Sequence, residues 1–165
     1  MNQPPSLDQF ILSNSTLQSS NKMASIVRKV VNTEKCPKVP APFNQAVVAG
    51  QTVYCSGIMG MELGSLKLVN GGAGPEAAKA LENLAVLLEA AGSSLANVVK
   101  TTILLTDIKD YGVVNVEYRK VFSDSFPART CFAVKSLPMG ASVEIEAIAL
   151  AGDVIHTSTK LNSKM

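Results

Sequence analysis

Two consecutive stretches, Phe126-Pro-Ala-Arg129-Thr-Cys131 and Val143-Glu144-Ile-Glu146-Ala-Ile-Ala149, place charged side chains inside otherwise apolar runs. Successive side chains point to opposite faces of a strand, so Arg129 shares a face with Cys131, and Glu144 shares one with Glu146. A charge inside an apolar strand costs free energy unless it is paired or meets a ligand. The pattern therefore has two interpretations, a structural arginine–glutamate pair or a binding site for a small charged molecule.

The rest of the chain predicts one domain with a sizeable core, since 47% of its 165 residues are hydrophobic. Residues 1–25 are rich in Ser, Asn and Gln and are expected to form a disordered extension. Residues 26–152 are the predicted domain, and residues 153–165 a flexible tail. No apolar run reaches the length of a membrane span, and the N-terminus lacks the layout of a secretory signal.

Three cysteines without metal-ligand spacing, Cys36, Cys55 and Cys131, are interpreted as reduced thiols of an intracellular protein. The expected location is the cytoplasm. Mitochondrial import stays open as an alternative, because the first 25 residues are Ser-rich and almost free of acids, but they contain no arginine.

The charge distribution argues against nucleic acid as a partner. The net charge of the whole chain is +2, yet residues 41–152 hold ten acidic and eight basic residues. The basic excess therefore lies in the terminal segments, whereas a nucleic-acid-binding protein normally carries a basic patch on its folded body.

The hydrophobic pattern predicts the element order β-β-β-α-β-α-β-β, an α+β fold in which two helices cover one face of a mixed sheet. A hairpin-like turn is expected at 49–51, a glycine-rich loop at 71–74 and a helix end at Gly92. The predicted strands are 26–32, 46–49, 52–56, 98–106, 128–136 and 142–151, and the predicted helices follow Pro75 and span 110–122.

The last strand also predicts an assembly. Its odd positions, from Val143 to Ala149, form an apolar row that belongs under the helices. Its even positions are half apolar as well, whereas a sheet face in contact with water should be mostly polar. A neighbouring subunit is therefore expected to cover that face.

The candidate site residues follow from chemistry. A partly buried arginine such as Arg129 is a natural anchor for a carboxylate, and Glu144 is a candidate to orient or deprotonate water. If the two strands run in opposite directions, the residues lie about 15–20 Å apart along the sheet, and one site needs both from different subunits.

Other candidates have weaker signals. Cys131 has no histidine to activate it, since the one histidine, His156, lies in the tail. It is interpreted as a packed or ligand-contacting thiol. Ser56 and Gly57, expected to end a strand, are either ligand contacts or a simple turn. Because the single histidine lies in the predicted tail, the sequence argues against both Ser–His–Asp chemistry and a metal site.

Taken together, the chain resembles the RidA/YjgF/UK114 family over residues 26–152. The resemblance is carried by the two opening stretches and by further segments in the family's order: Pro42-Phe43-Asn44-Gln45-Ala46, Val53-Tyr-Cys-Ser56-Gly57, Lys79-Ala-Leu-Glu-Asn-Leu84, Val99-Lys-Thr-Thr102, Asp107-Ile-Lys-Asp-Tyr111 and Val114-Asn115. It implies a chorismate-mutase-like fold, a homotrimer with sites between subunits, and hydrolysis of 2-iminobutanoate and 2-iminopropanoate to 2-keto acids and ammonia without a cofactor or metal.

By the same resemblance, Arg129 holds the substrate carboxylate beside Cys131, Glu144 positions water, and Ser56 and Gly57 line the imine end. Phe43 stands where the family usually has a tyrosine, so the aromatic ring is kept but the hydroxyl donor is lost. Two alternatives stay open: a non-catalytic trimeric binder of 2-keto acids, and an endoribonuclease or translation inhibitor. The acidic balance of residues 41–152 and the lack of a histidine there disfavour the second alternative.

Overall fold

The computed structural model describes residues 25–123 and 125–157. The prediction of a disordered extension over 1–25 therefore falls almost entirely outside the described residues, and so does most of the predicted tail. In the described part, six strands and two α-helices follow the predicted order: β1 Arg28–Val31, β2 Ala46–Ala49, β3 Thr52–Met59, α1 Ala73–Ala90, β4 Val98–Leu105, α2 Tyr111–Val121, β5 Ala128–Ala133 and β6 Val143–Leu150.

The strands form one mixed sheet in the order β1-β2-β3-β6-β4-β5. The β4–β5 pair is parallel, whereas β6 lies between β3 and β4 and is antiparallel to both. Strands β5 and β6 thus run in opposite directions, as predicted, but β4 separates them. The sequence order alone does not reveal this insertion, which decides where Arg129 and Glu144 lie.

Several predicted boundaries are wrong; strand β5, for example, ends at Ala133 and not at residue 136. Strand β3 does not end at Ser56 but continues to Met59. Helix α1 begins at Ala73, within the stretch predicted to be a glycine-rich loop. Strand β1 is shorter than predicted, since only Arg28–Val31 pair with β2.

The core lies between the helices and one face of the sheet. In α1, the predicted stripe of Leu81, Leu84 and Leu88 is almost completely buried, and the helix packs on β3 and β6. The helix stops as predicted, because Gly92 has a φ of +79° and the next amide donates back to the Leu88 carbonyl oxygen. The odd positions of β6 face this core and are buried.

No helix in the described part of the chain covers the other sheet face. Tyr54, Val30 and Phe132 lie on this face and remain 49%, 47% and 46% exposed, an amount of apolar surface consistent with a further covering layer. Within the described ranges, no helix is long and apolar enough to cross a membrane.

Candidate functional site

Arg129 lies on the edge strand β5, on the face that the helices cover. It pairs with Thr101 of β4, whose buried hydroxyl forms a 2.8 Å hydrogen bond with the hydroxyl of Tyr118 in α2. The guanidinium carbon lies 4.7 Å from the centre of the Tyr118 ring and 5.2 Å from that of Tyr111. Both distances permit cation–π attraction, so the two rings hold the charge in place without using its hydrogen-bond donors.

Those donors are available. Nε and Nη2 of Arg129 are buried and have no hydrogen-bond partner, and the same is true of Oδ1 of Asn115. Both residues line a pocket of about 250 Å³ together with Tyr111, Tyr118, Arg119, Phe126 and Pro127. A buried donor without a partner costs about 1–3 kcal/mol, more when it is charged. The pocket is therefore suited to a small anion.

Asn115 was not among the predicted site residues. The signal that could have found it is helical spacing, because Tyr111, Asn115 and Tyr118 recur at intervals of four and three residues. This spacing places all three on one face of α2, the face that meets β5 at Arg129.

Cys131 lies on the same face of β5 as Arg129, as predicted, and pairs with the buried Ile103. Burial raises the pKa of its thiol, and the nearby Arg129 charge opposes this only in part. The thiol is therefore protonated at neutral pH and is a poor nucleophile. This agrees with its interpretation as a packed or ligand-contacting side chain.

Ser56, Gly57 and Glu144 meet at a second place, the middle of the sheet. In the β3–β6 pair, Cys55 faces Ala147 and Ile58 faces Ile145, so Ser56 and Gly57 form a bulge opposite a single residue. A Cβ atom built on Gly57 would lie 1.6 Å from Oε1 of Glu144. Gly57 thus lies directly against this carboxylate, and the simple-turn interpretation of Ser56-Gly57 is wrong because both residues lie within strand β3.

The Glu144 side chain is half-buried on the face without helices. Burial raises the pKa of its carboxyl group, and the negative charge of Glu146 raises it further. A carboxylate with a raised pKa is a stronger base, which suits a group that takes a proton from water.

The Ser56 hydroxyl donates to the Asn44 carbonyl oxygen at 2.8 Å, so its hydrogen is already used. It can still accept a hydrogen bond. Phe43 lies beside it at the mouth of a small cavity that Ser56 and Gly57 also line, and the Lys38 ammonium lies 5.9 Å from the ring centre. Gly57 thus lines this cavity with Phe43 and Ser56 and also lies against Glu144, whereas Arg129 and Cys131 form a separate group.

The two groups lie on opposite faces of the sheet. Thr101 pairs with both Arg129 and Ala147, and Glu144 is three residues before Ala147 with its side chain on the other face. The register places the two residues about 10 Å apart along the strands and about 10 Å apart across them. The expected 15–20 Å along the sheet is too long. The alternative of a structural arginine–glutamate pair is wrong within this chain, because no ion pair among the described residues includes Arg129.

The fold and these two groups define a class of protein: an α+β protein with a pocket lined by a buried arginine and, at a strand bulge, a carboxyl group whose pKa is raised. The chain belongs to the Endoribonuclease L-PSP family, whose model matches residues 33–151. This membership confirms the resemblance to the RidA/YjgF/UK114 family.

Curated relatives and solved structures agree. The chain is 52% identical over 132 residues to the RutC family protein UK114 of Drosophila melanogaster, which covers 80% of this chain and 96% of the relative. It is 45% identical over 136 residues to the 2-iminobutanoate/2-iminopropanoate deaminase of Homo sapiens, and the match covers 82% of this chain and 99% of the relative.

Among solved structures, RidA from the Antarctic bacterium Psychrobacter sp. PAMC 21119 has a TM-score of 0.71 at 38% identity, covering 74% of this chain and 98% of that one. TdcF of E. coli with bound serine has a TM-score of 0.71 at 30% identity, and the match covers 75% of this chain and 99% of TdcF. The α+β fold predicted from the sequence is therefore confirmed.

Proposed function

We propose that this protein hydrolyses reactive 2-imino acids, such as 2-iminobutanoate and 2-iminopropanoate, to 2-keto acids and ammonia. The observation that carries the proposal is the buried guanidinium of Arg129 with two unpartnered donors. Mammalian relatives 45–49% identical to this chain are named 2-iminobutanoate/2-iminopropanoate deaminases. Both lines of support point to a small carboxylate-bearing substrate.

Arg129 holds the substrate carboxylate. The N–H groups of Nε and Nη2 point in the same direction along one edge of the planar guanidinium group. Two parallel donors of this kind match the two oxygens of one carboxylate. The rings of Tyr111 and Tyr118 keep the guanidinium oriented. Oδ1 of Asn115 supplies an acceptor for the N–H of the imine, and the Cys131 thiol packs beside the carboxylate. A relative crystallised with serine, E. coli TdcF, accepts a ligand with this carboxylate chemistry.

Glu144 activates the water. Its ionised carboxyl group takes a proton from a water molecule as the oxygen attacks the imine carbon. The new C–O bond forms while the C=N π electrons move to nitrogen, which gains a proton. The resulting carbinolamine then collapses: its hydroxyl loses a proton, the C–N bond breaks, and protonated nitrogen leaves as ammonia. The overall balance is one imino acid and one water to one 2-keto acid and one ammonia.

One site needs two copies of the chain. Arg129 and Glu144 lie on opposite faces of the sheet, so a substrate held by one Arg129 cannot reach Glu144 of the same protomer without passing through the sheet. The exposed apolar face with Tyr54 and Phe132 supplies the surface for assembly. We infer a homotrimer with three sites between subunits, to be checked by light scattering coupled to gel filtration.

The proposal is tested by releasing 2-iminobutanoate from threonine with a threonine dehydratase and trapping the remaining imine with semicarbazide. We expect the wild-type protein to lower the amount of trapped imine and Arg129→Ala to be about 30–150-fold less active, since a buried bidentate charged contact contributes about 2–3 kcal/mol. Arg28→Ala, an exposed arginine of β1, is the matched control. Loss of imine at the buffer rate with wild-type protein would refute the proposal.

A second candidate function is a non-catalytic binder of 2-keto acids. The observation that favours it is that neither Phe43 nor Ser56 offers a free hydroxyl donor, since Phe43 has no hydroxyl and Ser56 donates to Asn44. The same assay separates the two functions, because a binder leaves the rate of imine loss unchanged.

A further inference from the structure

We propose that Arg119 extends the Arg129 pocket into a site for acids with two anionic groups, so that the protein also accepts 2-imino and 2-keto acids whose side chain ends in a carboxylate. The inference rests on the proposed function and widens the substrate class of that site. Arg119 lies in α2, four residues after Asn115 and therefore on the same face of the helix, and it lines the same pocket as Arg129.

The pocket carries more positive charge than one carboxylate neutralises. Its lining includes two guanidinium groups, those of Arg119 and Arg129, and no acidic side chain is among the described residues that line it. The ion pairs within the described ranges include neither arginine. A monoanion held by Arg129 thus leaves the second guanidinium without a counter-charge, whereas a dianion meets both.

The other charges of α2 do not neutralise Arg119. The one acidic residue of this helix, Glu117, holds the Lys120 ammonium at 2.7 Å. Lys120 shares the last turn of the helix with Arg119 but does not line the pocket. A cation in this turn is favourable to the helix in either case. The position of Arg119 in the pocket lining is therefore what distinguishes it from Lys120.

The two arginines lie at different depths. Nε and Nη2 of Arg129 are buried, whereas the Arg119 side chain is exposed. The rings of Tyr111 and Phe126 also line the pocket and are 44% and 59% exposed, so its outer walls are apolar and open to solvent. An acid whose first carboxylate binds Arg129 extends outward along these walls, and its second carboxylate meets Arg119.

The size of the pocket permits this arrangement. Its volume of about 250 Å³ is several times the roughly 30 Å³ that a water molecule takes in the liquid, so there is room for groups beyond one carboxylate. Because Arg119 is exposed, water and salt screen its attraction for an anion. Arg119 therefore sets a preference among acids, whereas the buried Arg129 supplies the larger part of the affinity.

The test compares 2-oxoglutarate with 2-oxopentanoate, two 2-keto acids of equal chain length that end in a carboxylate and a methyl group. Binding to the full chain is measured by calorimetry at about 20 mM and about 500 mM salt. We expect 2-oxoglutarate to bind about two- to fivefold more tightly at low salt, the effect of one exposed ion pair. At high salt this advantage should disappear.

Three variants, with folding checked by circular dichroism, assign the preference to a residue. Arg119→Gln should abolish the advantage of 2-oxoglutarate at low salt and leave the affinity for 2-oxopentanoate unchanged. Arg119→Lys keeps the charge and should keep most of the advantage. Lys120→Gln is the matched control, because it removes the same charge from the same helix turn outside the pocket, and it should behave like the wild-type protein.

Equal or tighter binding of 2-oxopentanoate by the wild-type protein at low salt would overturn the inference. A preference that survives in Arg119→Gln, or that is lost to the same extent in Lys120→Gln, would overturn it too, and so would binding of neither acid. Failure of the proposed function looks different, because the preference and its loss in Arg119→Gln then persist while the protein does not accelerate imine loss.

Discussion

The carboxylate of Glu144 occupies the space where any residue other than glycine at position 57 would carry its side chain, with Oε1 1.6 Å from an ideal Cβ. Such a contact is far inside the van der Waals limit, so either the carboxylate or the bulge must move if the Cβ is present. The relationship ties the position of the proposed base to one backbone feature of β3, the Ser56–Gly57 bulge.

Gly57→Ala should therefore displace Glu144 and reduce imine hydrolysis by at least about 100-fold, because a shift of about 1 Å in a reacting group is sufficient for such a loss. The measurement is kcat/KM with 2-iminobutanoate. Gly64→Ala is the matched control, since Gly64 has no positive φ and nothing lies within 4 Å of its ideal Cβ. Full activity in a folded Gly57→Ala protein would contradict the assigned role of Glu144.

The raised pKa of Glu144 predicts the pH dependence of activity. The carboxyl group must be ionised to accept a proton, so kcat/KM should fall in acid with a midpoint above the ordinary pKa of glutamate. Glu146→Gln removes the neighbouring negative charge that contributes to the shift, and should move this midpoint to lower pH. An unchanged midpoint in Glu146→Gln would show that another group controls the acid limb.

The same shift has a consequence for stability with a definite sign. Because folding raises the pKa of Glu144, the native state binds the proton more tightly than the unfolded chain. The stabilising contribution is present below the unfolded pKa and is lost as pH rises through the folded pKa. Glu144→Gln should therefore unfold at higher urea concentration than wild type at pH 7, with a smaller difference at pH 4.

Local patterns predicted much of the fold. Alternation in β6 identified its buried row, and the leucine spacing of α1 together with Gly92 located that helix and its end. The insertion of β6 between β3 and β4 was not predicted, because strand order depends on contacts between residues far apart in sequence. The β3 bulge was missed for the same reason, since Ser56 and Gly57 read locally as a turn.

The candidate site can be divided in the same way, into residues that a local pattern indicates and residues that only the tertiary packing reveals. Arg129, Cys131 and Glu144 stand out in the sequence because they are polar side chains in apolar strands, and their roles in a site stay predictions. Asn115 and the two tyrosines that stack on Arg129 belong to a helix whose pattern also fits an ordinary surface helix. Only the packing of α2 on β5 shows that these residues face Arg129 and do not belong to an ordinary surface helix.

Tyr118 combines a structural and a ligand-orienting role that can be separated. Tyr118→Phe removes the buried hydrogen bond to Thr101 but keeps the ring against Arg129. We expect a loss of about 1–2 kcal/mol in the free energy of unfolding, measured in urea, with little change in 2-oxobutanoate affinity. Tyr118→Leu should weaken binding as well, because the cation–π contact is lost. If the two variants bind 2-oxobutanoate with equal affinity, the Tyr118 ring does not orient Arg129.

Glu76 anchors the strand that carries Glu144. Both of its carboxylate oxygens accept hydrogen bonds from Ser142, Oε2 from the amide at 2.7 Å and Oε1 from the hydroxyl at 2.9 Å. Glu76 is buried, and a Cβ on Gly60 would lie 2.3 Å from its carbonyl oxygen, so the first turn of α1 is packed tightly against the end of β3. The hydrogen bonds from Ser142 to Glu76 therefore hold the start of β6 in place, two residues before Glu144.

Glu76→Gln should lower the free energy of unfolding by about 1–3 kcal/mol, because an amide group would then point a donor at a donor of Ser142. Urea unfolding measures the effect. Glu82→Gln, on the exposed face of the same helix in an ion pair with Lys79, is the matched control and should change stability by about 0.5 kcal/mol at most. If the two variants unfold alike, the Glu76–Ser142 contact does not hold the start of β6.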